Sequence, residues 1–174
     1  DELSTLSRDE VDIAIRGGYA PNERVQAVRL MNNEFIPVAA SSYLAAAGTP
    51  KYATDLKQHQ GLFFRTPTGP HTWLCQSNGQ WLDVSALPLA ISNNGKWLGE
   101  QAIAGQGIMM APRWLVQEYI DSNELQELHI EPTLHISQNP GLAIYLLYQK
   151  QQYLVPKVKV AVDFLMARFS ADSI

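Results

Sequence analysis

Polar side chains that could hold a small acid follow three of the segments that the sequence predicts to be strands. The three groups are Arg16, Gly17 and Gly18, then Ser41 and Ser42, then Ser92, Asn93 and Asn94. The last group opens a predicted helix, whose free N–H groups carry a partial positive charge that favours a carboxylate or a phosphate. An arginine can hold the same anion through two parallel hydrogen bonds. The pattern therefore predicts binding without reaction; ordinary loop capping, with Arg16 on the surface, is the alternative.

The histidines do not have the spacing of a metal site. None of them lies four residues from another, the separation that places two imidazoles on one helix face; the four are His59, His71, His129 and His135. The last two would share a face of a straight strand, but Pro132 interrupts that segment. We therefore expect no bound metal, and imidazoles that are either hydrogen-bonded or exposed.

Catalytic groups are also missing from the pattern. Neither Ser41 nor Ser42 lies in the Gly-x-Ser-x-Gly turn that exposes a hydrolase nucleophile. Gly105-Gln106-Gly107 follows a predicted helix instead of opening one, so it indicates a helix end and a tight turn rather than a dinucleotide site. We therefore expect no enzyme activity, no catalytic residue and no cofactor.

Composition limits the partners of the chain. Its 174 residues, 46% of them hydrophobic, suffice for one domain or two small lobes. Only 17% are charged and the net charge is -4, so these residues do not form the basic surface that a phosphate backbone requires. Cys75 is the only cysteine, which excludes an internal disulfide and favours a reducing compartment, the cytoplasm.

We expect neither a membrane segment nor a leader within this sequence. No apolar run approaches the roughly 20 residues needed to cross a bilayer, so no membrane partner is expected. The chain begins at Asp1 with neither an initiator methionine nor a signal-peptide pattern. We interpret it as starting within a longer protein, as a processed product or as a shortened piece.

Three local signals describe the first third of the chain. Val11 to Ile15 is a β-branched run closed by glycines, typical of a buried parallel strand followed by a loop at residues 16–18. The preceding residues 3–10 indicate the end of a helix. Residues 35–39 are extended, and Pro37 places them at an edge or a crossing because proline cannot donate to a ladder.

Helix ends are marked by capping residues. Ser41 or Ser42 is expected to cap a short helix that ends at Gly48. Pro156 suits the first turn of a final helix. The apolar residues of that helix lie on one face and are Val158, Ala161, Val162, Leu165 and Phe169.

The middle of the chain carries the clearest pattern. Asn78-Gly79 predicts a β-hairpin between two short strands. Residues 89–91 are apolar, 92–94 offer an N-cap, a helical pattern runs to Gly105, and 108–111 form a second strand. Such a strand, helix and strand form a βαβ unit with parallel strands and a right-handed crossover.

These elements predict an α/β protein in which the chain leaves one lobe and later returns to it. Residues 1–37 and 140–174 would form the first lobe and residues 38–139 the second, with two connecting strands as the hinge. Ligands of such proteins bind between the lobes, outside the carboxyl ends of parallel strands.

Several segments together resemble the effector-binding domain of LysR-type transcriptional regulators. Each motif is weak alone, but their order and spacing cover nearly the whole chain. The segments are Val11-Asp12-Ile13-Ala14-Ile15-Arg16, Pro37-Val38-Ala39-Ala40-Ser41-Ser42-Tyr43-Leu44 with Gly48 and Pro50, Asp55-Leu56 before His59, Asn93 to Ile108 with Pro112, Glu124-Leu125, and Pro156-Lys157-Val158 with Val162-Asp163-Phe164-Leu165.

The resemblance implies two Rossmann-like subdomains of the periplasmic-binding-protein type (type 2), with two crossover hinge strands. Subdomain I would be residues 1–37 and 140–174, and subdomain II residues 38–139. A small-molecule effector, anionic if Arg16 clamps it, would bind in the cleft between them. By matching, the effector contacts would be Arg16, Gly17, Gly18, Ala40, Ser41, Ser42, Ser92, Asn93, Asn94, Ile108 and Met109.

The resemblance also implies parts that this sequence lacks. DNA would be bound only through an N-terminal helix-turn-helix absent from this chain, and the full-length regulator would be a homodimer or homotetramer. The first strand, helix and strand of subdomain I would lie ahead of Leu3, which leaves subdomain I incomplete. The alternatives are a periplasmic-type solute-binding protein for a small anionic metabolite and an enzyme that uses the same cleft architecture.

Overall fold

The structure is a computed structural model, which describes residues 12–18, 25–139 and 141–171. The helix end predicted at residues 3–10 lies outside the described residues. The chain divides into two compact units, Asp1–Glu34 with Gly141–Ile174, and Phe35–Pro140. Residues 35–37, which the sequence analysis assigns to the first lobe, lie in the second unit.

The described residues form twelve strands, four α-helices and two 3₁₀ helices. The strands are β1 (Ile13–Gly18), β2 (Gln26–Asn32), β3 (Phe35–Ala39), β4 (Gln60–Thr66), β5 (Gly69–Pro70), β6 (Leu74–Ser77), β7 (Gln80–Asp83), β8 (Leu87–Ser92), β9 (Ile108–Pro112), β10 (Gln126–Glu127), β11 (Leu134–His135) and β12 (Ala143–Tyr148). The α-helices are α1 (Ser41–Ala47), α2 (Gly95–Ile103), α3 (Arg113–Asp121) and α4 (Pro156–Ala171), and two 3₁₀ helices cover Ala53–Gln58 and Gln152–Leu154.

The first unit is a three-stranded antiparallel sheet in the order β1-β12-β2, with α4 packed against it. The predicted apolar face of α4 is confirmed: Val158 and Val162 are buried with Leu146 of β12. The expectation of a buried parallel strand at β1 is wrong, since it runs antiparallel to β12 and Ile15 is 54% exposed. A β-branched run predicts an extended segment, but the direction depends on a partner from the other end of the chain.

The second unit is built on a mixed sheet in the order β10-β3-β9-β4-β5, with β8 pairing β4 as well. β8 and β9 both run parallel to β4, and α2 connects them, so the predicted βαβ unit is confirmed, with β4 pairing both of its strands. β3 runs antiparallel to β9. The β6–β7 hairpin is confirmed as well, with Asn78 and Gly79 in the left-handed region at φ 50° and 77°.

Pro37 does not lie at an edge, which corrects one of the two placements expected for β3. This strand pairs with β9 on one side and with β10 on the other. The two residues of β10 pair with Val38 and Ala39 and stop short of the proline. On that side Pro37 supplies only its carbonyl, which accepts the N–H of Leu128 at 2.9 Å. The missing N–H is therefore not required.

Two apolar cores cover the two faces of this sheet. Trp73 and Ile108 belong to the core on one face, and Leu98 and Met109 to the core on the other. Alternating side chains of β9 supply both, because successive residues of a strand point to opposite faces. α1 covers part of the first core and ends at Gly48 as predicted, but its N-cap is Ala40 without a side-chain bond, so the predicted serine cap is wrong.

Candidate functional site

Three strands of the second unit end at one edge of its sheet, which we call the carboxyl edge. The last residue of β8, Ser92, lies there opposite Phe64, two residues before the end of β4. β9 ends at the same edge, and because β3 is antiparallel to it, Phe35 at the start of β3 pairs with Pro112 at the end of β9. The carboxyl edge therefore joins the turn before α2 to the beginning of β3.

The turn before α2 is an ordered N-cap. The Ser92 hydroxyl accepts the N–H of Asn94 at 3.1 Å, and the Asn94 side-chain oxygen accepts the N–H of Trp97 at 3.1 Å. The predicted cap is confirmed at Asn94. These bonds occupy the side chains of Ser92 and Asn94, whereas Asn93 is exposed and the N–H groups of Gly95 and Lys96 take no part in the cap. The start of α2 can therefore still donate to an acceptor.

Three rings, which we call the aromatic cluster, lie next to this turn: Phe35, Phe64 and His71. The centroid of the His71 ring is 5.8 Å from that of Phe35, edge to face, and 5.7 Å from that of Phe64. A side chain at Gly95 would lie 3.8 Å from the Phe64 ring, which places the start of α2 beside the cluster. All three rings are partly exposed.

His71 is held at the end of the sheet by its backbone. Its N–H donates to the carbonyl of Phe64 at 2.9 Å, directly after the β4–β5 pairing of Thr66 with Gly69. Phe35 packs on the core of one sheet face and Phe64 on the core of the other. His71 contacts both rings and so covers the end of the sheet between the two cores.

The imidazole of His71 has a buried nitrogen and a lowered pKa. Its Nδ1 atom is buried and has no hydrogen-bond partner. Burial lowers the pKa of the imidazole from its usual 6.5, so the ring is neutral at pH 7. The buried, unpaired Nδ1 was not expected, although His71 as a whole is partly exposed. No local sequence signal indicates it, because the two phenylalanines come from different strands.

The residues after β3 lie at the opposite edge of the sheet, the amino edge, where β4, β8 and β9 begin. Since β3 runs antiparallel to β9, Ala40, Ser41 and Ser42 are separated from the carboxyl edge by the length of β3, about 13 Å for its five residues. The Ser41 hydroxyl accepts a bond from Gln126 Nε2 at 2.6 Å, and a side chain at Gly105 would lie 2.7 Å from the Ser42 hydroxyl. The structure does not bring these serines together with Ser92.

Ile108 and Met109 also lie at the amino edge, at the start of β9. Their side chains are 0% and 1% exposed and belong to the cores on opposite faces of the sheet. Their backbones pair with Gly61 and Leu62 of β4. Both residues stabilise the sheet, and neither presents a side chain at its surface.

The remaining candidates belong to the first unit. Residues 16–18, expected in a loop, form the second half of β1, where Arg16 lies opposite Tyr145 of β12 and is exposed. A side chain at Gly17 would lie 3.1 Å from the Asn33 amide nitrogen, so the glycine allows a close approach. Arg16 therefore lies on a strand. The paired backbone of β1 fixes the position of this arginine better than a loop would.

Within the described ranges, neither a metal-binding cluster nor a membrane-spanning helix is present. Across residues 12–18, 25–139 and 141–171, no three side chains of His, Cys, Asp or Glu come together in a way that could hold a metal ion. Over the same residues, no helix has both the length and the hydropathy of a bilayer span.

Comparison with known proteins gives the relationship of the chain. It matches the model of the LysR substrate binding domain over residues 2–170. The HTH-type transcriptional regulator CrgA of Neisseria meningitidis serogroup C (strain 8013) is 30% identical over 166 residues, which are 92% of this chain and 52% of CrgA. The HTH-type transcriptional activator TtdR of Escherichia coli (strain K12) is 27% identical over 168 residues, 96% of this chain and 52% of TtdR. The chain thus spans about half the length of these curated relatives.

Solved structures show the same relationship. The structure of CrgA, a LysR-type transcriptional regulator from Neisseria meningitidis, superposes with a TM-score of 0.81 at 27% identity and covers 94% of this chain and 54% of that one. The CrgA regulatory domain superposes with a TM-score of 0.78 at 25% identity, covering 94% and 78%. The predicted fold class, α/β of the periplasmic-binding-protein type, is confirmed. The chain therefore belongs to the LysR substrate binding domain family.

Proposed function

We propose that this chain is the ligand-sensing regulatory domain of a LysR-type DNA-binding transcriptional regulator, and that a small-molecule effector binds to it. The relatives support the first part, because CrgA and TtdR carry the names of HTH-type transcriptional regulators and the chain matches about half of each. The carboxyl edge supports the second part, since it presents a capped but still donating helix start beside partly exposed rings. That helix start is the observation on which the proposal rests.

Two groups of the predicted contacts are kept in this proposal, each described within its own unit: Arg16 on β1, and Asn93 with the start of α2. Arg16 would hold an anionic group through its guanidinium, and Asn93 would orient the ligand. Ser92 and Asn94 contribute by ordering the turn, because their side chains are already bonded to the backbone. Ala40, Ser41 and Ser42 are not included, since they lie at the amino edge and support α1 and β10.

The effector would act by shifting a population between conformations of the full-length regulator. A ligand moves such an equilibrium only by the difference between its affinities for the two states. DNA would be contacted by a helix-turn-helix outside this chain, in a homodimer or homotetramer located in the cytoplasm. The domain would catalyse no reaction, as its relatives are named as regulators.

Titration of the chain with small carboxylates tests the proposed anion contact. A ligand present at 100 times its dissociation constant adds about 2.7 kcal/mol to the free energy of unfolding, and a thermal-shift assay detects a change of that size. Arg16→Ala should abolish that shift for anionic ligands, while Arg29→Ala, an exposed arginine on β2 of the same sheet, should retain it. Equal shifts for the wild type and Arg16→Ala would refute the contact.

The proposal that the chain belongs to a DNA-binding regulator is tested by the sequence of its gene. Reading the coding sequence upstream of Asp1 should show a helix-turn-helix region. An apolar leader in its place would favour a secreted solute-binding protein and contradict the proposal.

A further inference from the structure

The two ring nitrogens of His71 face different environments. Nδ1 is buried between the surrounding apolar groups without a hydrogen-bond partner, whereas Nε2 retains access to solvent. The backbone bond to Phe64 and the contacts with both phenylalanine rings fix this orientation. His71 therefore presents one nitrogen outward from an otherwise apolar aromatic cluster.

Packing alone does not account for a histidine at this position. A phenylalanine could occupy the same space against Phe35 and Phe64, and it would leave no polar atom buried. A buried unpaired polar atom lowers stability, and in native proteins such atoms require an explanation. The outward nitrogen is the property that a histidine has here and a phenylalanine lacks.

The protonation of the ring follows from its surroundings. No acceptor faces Nδ1, and an unpaired buried N–H is less tolerable than an unpaired lone pair. The single proton of the neutral imidazole therefore lies on Nε2, where water or a ligand can accept it. His71 thus offers a neutral N–H donor at the surface of the aromatic cluster.

We propose that Phe35, Phe64 and His71 form one wall of the effector site, and that His71 selects a planar, unsaturated or aromatic small molecule that carries a carbonyl or carboxylate oxygen. This inference rests on the proposed function. The rings provide a flat apolar surface, and the Nε2–H donates to the oxygen. The start of α2 lies beside Phe64 and can donate to a second oxygen of a carboxylate. An ammonium group offers no acceptor and is rejected.

Four matched probes test the selection on the wild-type chain. Benzamide and benzoate carry the ring and the oxygen, cyclohexanecarboxamide lacks the flat ring, and benzylamine lacks the acceptor. Tryptophan fluorescence and amide chemical shifts should report binding of the first two, with shifts at Phe35, Phe64 and the start of α2. We expect cyclohexanecarboxamide to bind at least about tenfold more weakly, which corresponds to about 1.4 kcal/mol, and benzylamine not to bind.

Two variants separate the ring of His71 from its donor. His71→Phe keeps the aromatic surface and removes both nitrogens, so benzamide affinity should fall about tenfold while the urea midpoint rises, because the unpaired Nδ1 is gone. His71→Gln keeps an amide donor and removes the ring, so its preference for benzamide over cyclohexanecarboxamide should shrink. His135→Phe, at an exposed histidine of β11 beside Trp81, is the matched control and should bind as the wild type does.

The proposal is overturned if His71→Phe binds benzamide as tightly as the wild type, or if the wild type binds neither benzamide nor benzoate. These results leave the proposed function in place as long as small aliphatic carboxylates still bind and respond to Arg16→Ala. The proposed function itself fails only if neither the small aliphatic carboxylates nor the aromatic probes bind to the chain. A drop in the urea midpoint of His71→Phe would show that packing alone explains the histidine, and would also reject the proposal.

Discussion

Gly107 is the position at which a single methyl group should disturb the sheet that carries the carboxyl edge. This buried glycine precedes β9, where Ile108 pairs with Gly61 of β4. A Cβ at residue 107 would lie 2.7 Å from the carbonyl oxygen of Gln60 and 3.1 Å from its carbonyl carbon. Both atoms are backbone, so no side-chain rotation can relieve the contact.

The cost of Gly107→Ala follows from that distance. Ordinary van der Waals contact begins at 3.4 Å, so the strands must separate by about 0.7 Å or the loop must shift. Forcing an extra methyl group into a well-packed interior costs about 1–3 kcal/mol. For a chain of this length, a loss of about 2 kcal/mol lowers the melting temperature by roughly 4–8 °C.

Gly99 in α2 provides the matched control. A Cβ there meets no heavy atom within 4 Å, and the residue is helical. Gly99→Ala should therefore stabilise the protein by about 0.5–1 kcal/mol, since alanine loses less backbone entropy in a helix. The two variants make the same chemical change with opposite expected signs, so a general effect of added methyl groups cannot explain both.

Urea unfolding followed by tryptophan fluorescence measures the difference. Trp73 is 1% exposed and stacks on Phe63 at 4.6 Å, so its emission reports the core of the second unit. The midpoint should fall for Gly107→Ala and rise for Gly99→Ala. Equal midpoints for Gly107→Ala and the wild type would refute the close approach of the α2–β9 turn to β4.

Three further outcomes are expected from the same unfolding assay. Asn94→Ala removes the side-chain cap of α2 and should cost about 1 kcal/mol, whereas Asn93→Ala should leave the midpoint unchanged; equal effects would contradict the assigned cap. Tyr43→Phe removes the hydroxyl that accepts the N–H of Gln60 and shares a hydrogen bond with His59 Nδ1, so it should cost about 1–3 kcal/mol, and an unchanged midpoint would refute that network. Burial lowers the pKa of His59 and His71 below the usual 6.5, so the unfolded chain takes up protons first; stability should be full above pH 6.5 and decline as the pH falls below it, and equal midpoints at about pH 7.5 and 5.5 would contradict this sign.

Features that depend on neighbouring residues were predictable from the sequence. The cap of α2 at Asn94, the Asn78-Gly79 turn and the apolar face of α4 follow from interactions within a few positions along the chain. The βαβ unit was also predictable, because short connections around a helix of nine residues favour one arrangement. In each case the residues that make the interaction are those that carry the signal.

Features that depend on partners far away in the sequence were not predictable from it. The direction of β1 depends on β12, which lies more than a hundred residues later, and the tolerance of Pro37 inside the sheet depends on the shortness of β10. The aromatic cluster requires three segments to meet, and the unpaired nitrogen of His71 exists only after they do. A single sequence contains no local signal for contacts between segments that are far apart along the chain.

The direction of β3 decides which polar groups can act on one ligand. In the sequence, Ser41, Ser42 and Ser92 all follow predicted strands. The ends of neighbouring strands meet at the same edge of a sheet only when the strands are parallel. Because β3 is antiparallel to β9, its end lies at the amino edge and its beginning at the carboxyl edge. The two serines therefore lie away from the carboxyl edge, and Phe35 lies at it. The antiparallel strand thus places an aromatic ring where a parallel one would have placed hydroxyl groups, and the chemistry at this edge is that of the aromatic cluster.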